Sequence, residues 1–195
     1  NQTDKDGKLV VLYAGNKEAQ HSYIEIAKDK GYQVLLLDSP IIPHLIQKLE
    51  SDNSGLTFVR VDSDHIDNLI KKEETAISKL STEEQESLKT VVETIVPKQT
   101  YTVQLEALDS SAAPFIITQP EFMRRMKEMS QTGGGGMFGM GNFPEMYNLV
   151  VNTNSDLATS ILNNEDKTVQ ENLVKQALDL AKLSQNLLKG EALTA

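Results

Sequence analysis

The chain has no cysteine and no tryptophan among its 195 residues, and aromatic residues make up only 5% of it. Without cysteine there is no disulfide framework and no thiolate nucleophile, which fits a reducing compartment. With so few aromatics the cores must be aliphatic, and a hydrophobic content of 39% supplies the Leu, Ile and Val to build them. No run reaches the ~18 apolar residues of a membrane span, and the polar stretch Asn1 to Lys8 is not a signal peptide. These absences lead to the expectation of a soluble cytoplasmic protein without a membrane partner. An opening on Asn1 and an abrupt end at Ala195 lead to that of a fragment. Positive charge is also short, with 19 Lys and Arg against 28 Asp and Glu and a formal net charge of −9. Nucleic acid, which needs clustered cations to displace its counterions, is therefore not an expected partner. His21, His44 and His65 lie far apart without metal-ligand partners at helical spacing, so no metal site is expected. Carboxylates are plentiful, but nothing pairs two of them in a cleft, and no catalytic residue is nominated.

What is present reads as α/β followed by α+β. Leu9 to Ala14 is a continuous apolar run, Glu18 to Lys30 has helical spacing and stops at Gly31, and Val34 to Leu37 is a second buried run. Pro40 and Pro43 open a helix with Leu45, Ile46 and Leu49 expected inward, and Leu56 to Val61 is a third strand. Three parallel strands with helices make a small three-layer α/β subdomain over residues 1–73. The charged run Lys71 to Glu74 marks the boundary of a second domain, 74–195. There Ser81 and Glu84 form a capping-box pattern before a helix from Thr82 to Val96. Tyr101 to Leu108 and Phe115 to Thr118 are expected to pair as an antiparallel hairpin, with Leu149 to Asn152 as a third strand. Ser155 to Leu162 is a short helix, and a long one runs from Lys167 to Lys189 with a wide apolar stripe.

All six methionines fall between Met123 and Met146, together with Phe122, Phe138 and Phe143. Core methionines are spread along a chain as gap fillers; soft side chains gathered on one segment make a surface that repacks against many partners. In a helix from Pro120 to Ser130, Phe122, Met126 and Met129 share one stripe with Met123 on its flank, and Arg124, Arg125, Lys127 and Glu128 lie opposite. The tetraglycine run Gly133 to Gly136 then leaves Met137, Phe138 and Met140 on a strap. Two readings stay open: the stripe packs on the sheet, or it is a binding surface. A separate reading, an enzyme domain binding a nucleotide or small ligand, uses the strand ends near Gly15, Asp38 and Asp62, where open parallel sheets hold ligands. Ala14 to Lys17 lack a glycine-rich phosphate motif, and Asn16 is expected to cap the following helix.

The order LVVLYA, helix, GYQVLLLDSPI, helix, LTFVRVD and acidic linker resembles the end of the middle domain of heat-shock-protein-90 chaperones of the bacterial HtpG type. The second half resembles their C-terminal dimerization domain, with Ser155 to Gly190 matching the helices that lead into the dimer interface. The resemblance implies a homodimeric chaperone driven by ATP and magnesium bound in an N-terminal domain, so this fragment is expected to hold no cofactor and to be no enzyme itself. It implies unfolded or partly folded client proteins as partners, bound on the amphipathic helix at Met126, Met129 and Phe122, with Met123 on the flank of that stripe. A client role for Met137, Phe138 and Met140 of the strap, which is longer than the family's, is expected from their chemistry alone. It places Leu173, Ala177, Leu180, Ser184 and Leu187 at the dimer bundle. Only Glu191 to Ala195 follow Gly190, so the bundle's last helix is expected to be missing and dimerization weakened.

Overall fold

Six residues of continuous apolar character, β1 (Leu9–Ala14), form the central strand of a parallel sheet ordered β2-β1-β3. The computed structural model describes residues 2–4, 6–70, 76–125, 146–185 and 187. They group into two units, the first made of residues 1–72 and 119–145 and the second of 73–118 and 146–195. Against the boundary expected after residue 73, the second segment of the first unit, from Gln119, is the main difference.

In the first unit β1 is flanked by β2 (Val34–Leu36) and β3 (Leu56–Arg60), with Leu12 opposite Val34 and Val11 opposite Phe58. Side chains alternate across a strand, so β1 serves two cores. Val10, Leu12 and Ala14 pack with Ile24 and Ala27 of α1 (His21–Asp29) and with Ile66 of α3 (Ile66–Leu69). Tyr13 packs with Phe58 and with Ile46 of α2 (Ile42–Asp52). Gly31 follows α1 at φ 79°, and the Gly31 and Tyr32 N–H groups donate to Lys28 O and Ala27 O. That left-handed turn closes the helix and is open to glycine at little steric cost. Two expectations fail here. Leu45 and Leu49, read as inward, are exposed, because Ile46 alone on that turn of α2 is buried in the sheet-facing core. Asn16 does not cap α1: its side chain accepts from Glu18 N and Ala19 N, closing a turn before the helix, which starts after Gln20.

The second unit opens with α4 (Thr82–Ile95), held at its start by the reciprocal Ser81 and Glu84 capping box. Its sheet contains β4 (Tyr101–Glu106), β5 (Phe115–Thr118) and β6 (Tyr147–Asn152), in the order β4-β6-β5. The expected β4–β5 hairpin does not form. β6 lies between them, parallel to β4 and antiparallel to β5. Leu149, Val150 and Val151 are all buried, so both faces of β6 need cover, and a strand apolar on both faces belongs in the middle of a sheet. On one face Leu149 and Val151 join Leu88 and Val92 of α4, Ile161 of α5 (Asp156–Leu162) and Val174 and Leu178 of α6 (Lys167–Ser184). The run Asn152 to Ser155 is polar yet buried. The Asn152 side chain accepts from Leu108 N and donates to Asp109 O, and Asn154 accepts from Lys79 N while donating to Ile77 O and Leu108 O. Buried amides with partners on both ends stitch the loops to β6 without an unpaired group.

Candidate functional site

Pro120 stands just ahead of a helical stretch at residues 121–125, as a residue with no N–H and a fixed φ should. The sequence sets its arginines opposite the Phe122 stripe and leaves open which side is covered. The structure turns the arginine side inward. Arg124 is 3% exposed and Phe122 is 71% exposed. The Arg124 guanidinium donates through Nη2 to the Tyr13 hydroxyl at 2.6 Å, pairs with Glu121, and lies 5.7 Å from the centre of the Tyr13 ring. Arg125 donates through Nη1 to Glu50 Oε2 at 2.9 Å, through Nε to Glu121 Oε1 at 2.7 Å, and through Nη2 to Phe58 O at 2.7 Å. Burial alone would lower the Arg125 pKa; the Glu50 and Glu121 carboxylates more than offset this and hold it above the ordinary guanidinium value. One residue before Pro120, Gln119 N donates to Asp62 O, and its side chain accepts from Arg60, which forks onto Asp62 at 2.6 and 2.9 Å.

The segment is therefore held to its unit by charge while its phenylalanine faces solvent. Met123 is half-buried. Met126, Met129, Met137, Phe138 and Met140 lie outside the described residues. Sequence periodicity missed the anchoring role of Arg124 and Arg125 because their partners Tyr13 and Glu50 are 111 and 75 residues away. A signal was there. The chain has sixteen lysines but only three arginines, Arg60, Arg124 and Arg125, and all three sit in this cluster. Planar, weakly hydrated guanidinium is the cation suited to buried, forked pairing.

Two of the three strand ends offered to a small ligand, at Gly15 and Asp62, are occupied by the chain's own groups. At β1 the Gln20 side chain accepts from Gly15 N and Asn16 N, which removes the N–H groups that a phosphate would use. At β3 the Asp62 carboxylate is taken by Arg60. Among the described residues no group of three His, Asp or Glu could hold a metal ion. Nor is any helix among them long and apolar enough to cross a membrane.

In the second unit, α6 divides the residues expected at a dimer interface. Ala177 is buried in the unit's own core, and Leu173 and Leu187 pack partly against it. Leu180 is 65% exposed and Leu183, not anticipated, 53%. Ser184 is exposed, and its hydroxyl donates to Ala181 O.

No protein-family model matches the chain. It is 43% identical over 185 residues to the chaperone protein HtpG of Porphyromonas gingivalis, covering 93% of this chain and 27% of that protein. To the HtpG chaperone of Bacteroides thetaiotaomicron it is 45% identical over 169 residues, 85% of this chain and 25% of the relative. To that of Bacteroides fragilis it is 43% identical over 170 residues, with shares of 86% and 25%. The chain thus spans about a quarter of the length of the curated relatives it matches. Identity at this level across most of its residues places the chain in the HtpG family of heat-shock-protein-90 chaperones.

Proposed function

We propose that this chain is the client-holding stretch of an HtpG-type chaperone. Segments of unfolded or partly folded protein dock on Phe122 and on the methionine-rich residues that follow it. The observation that supports this best is the way the segment faces: an apolar aromatic at 71% exposure on a stretch whose Arg124 is buried. A large exposed aromatic next to soft methionines offers apolar area that adapts to many sequences. The exposed leucines of α6, Leu180 and Leu183, suit a role in pairing with a second copy of the chain. ATP and magnesium belong to other parts of the longer protein, and the work of this stretch is binding.

The test is Phe122→Ser in the full chain. Suppression of client aggregation should weaken roughly ten- to hundredfold, since burying a Phe side chain is worth ~1.5–3 kcal/mol and ~1.4 kcal/mol is a factor of ten. The unfolding midpoint should hold, because replacing an exposed side chain stays within about 0.5 kcal/mol. Unchanged suppression together with lost stability would make the segment structural.

A further inference from the structure

We propose that Arg124 is a positioning residue, which with Tyr13 locks residues 119–125 onto the parallel-sheet unit and makes this segment mechanically part of it. By sequence the segment follows β5 of the other unit directly, yet its contacts are with β1, β3 and α2. Gln119 ties to Asp62 and Arg60 just past β3, Arg124 reaches the hydroxyl of Tyr13 near the end of β1, and Arg125 bridges Glu50 of α2 and Phe58 O of β3. The carboxyl ends of a parallel sheet are where such folds hold ligands. Here they hold a piece of the same chain.

Geometry sets which contact dominates. Arg125 and its carboxylates are each about a quarter exposed, so solvent screens that pair. Arg124 is buried over a tyrosine whose ring is itself core. A buried guanidinium needs its charge offset, and Glu121, the Tyr13 hydroxyl and the ring face do this at the Nη2 end, while Nε is buried without a hydrogen-bond partner. With Arg124 turned inward, Phe122, two residues before it, is turned out. The lock matters to function only under the client-holding reading, whereas its existence is independent of clients.

The absence of cysteine makes the test direct: Phe122→Cys carries a single nitroxide in the full chain. Its electron paramagnetic resonance spectrum is recorded without client, well below the melting temperature, alone and combined with Tyr13→Phe, Arg124→Met, or both. The label should be restricted in the parent, and its mobile fraction should rise severalfold with either substitution. The pair together should do no more than the stronger single, because both remove one shared contact. An unchanged spectrum with Arg124→Met, or strictly additive effects, overturns the lock. A merely structural role would lower the melting temperature and leave mobility at 122 alone. If Arg124→Met does not fold, Tyr13→Phe decides, since it deletes one hydroxyl and keeps the ring: increased mobility supports the lock and an unchanged spectrum overturns it. Should the lock hold while Phe122→Ser leaves aggregation suppression intact, the client reading fails and the lock survives.

Discussion

Among the described residues, α6 and the stretch at residues 121–125 both present apolar side chains to solvent, and they are held in opposite ways. α6 buries an apolar face, with Val174, Ala177, Leu178 and Ala181 against its sheet, and leaves Leu180 and Leu183 outside. The stretch at residues 121–125 buries a charged side, with Arg124 on Tyr13 and Arg125 on Glu50, and leaves Phe122 outside. An apolar stripe on a helix therefore has no fixed meaning. On α6 it faces the core, whereas at residues 121–125 the arginines find buried partners and Phe122 is left to solvent.

The largest effect expected from breaking this contrast is on the charged side. Arg124→Ala removes the buried side chain that pairs with the Tyr13 hydroxyl and with Glu121, leaves Glu121 to Arg125, and should cost about 3–5 kcal/mol in urea unfolding, the usual penalty for removing one partner of a buried pair. On α6 the contrast is between neighbours. Leu178→Ala should cost ~2–5 kcal/mol through the cavity it opens, whereas Leu180→Ala should stay within about 0.5 kcal/mol and instead weaken any self-association seen by mass measurement over a concentration range. Equal costs at Leu178 and Leu180 would erase the distinction between the two faces.

The smallest effect is electrostatic and belongs to the second unit. Burial, and secondarily the Asp179 carboxylate of α6, raise the Tyr101 pKa above its ordinary 10.0. The phenol thus holds its proton in the folded state after the unfolded chain has lost it. The stabilising contribution is complete below pH 10.0 and is lost as pH rises through the raised folded value. Unfolding titrations above that pH should show falling stability, and Tyr101→Phe should flatten the fall.

Local pattern carried much of the fold. The capping box at Ser81, the stop at Gly31 and the apolar runs of β1, β3 and β6 are decided by residues within a few positions of one another, and each was readable in the sequence. What escaped was long-range. The insertion of β6 between β4 and β5 depends on a strand more than 40 residues from β4, and nearness in sequence favoured the wrong hairpin. The direction faced by Phe122 depends on Tyr13 and Glu50, which no periodicity within the segment can report. The methionine cluster was legible as composition. The side chain that turns its first aromatic outward was not.

Client holding on this segment requires Phe122 to be both open and used. The most direct measurement is the maleimide labelling rate of Phe122→Cys, the sole thiol of the chain, with and without an unfolded client protein. An exposed, client-binding position predicts labelling close to that of a free thiol in the absence of client and strong protection in its presence. Slow labelling without client, or a rate that the client does not change, would contradict it.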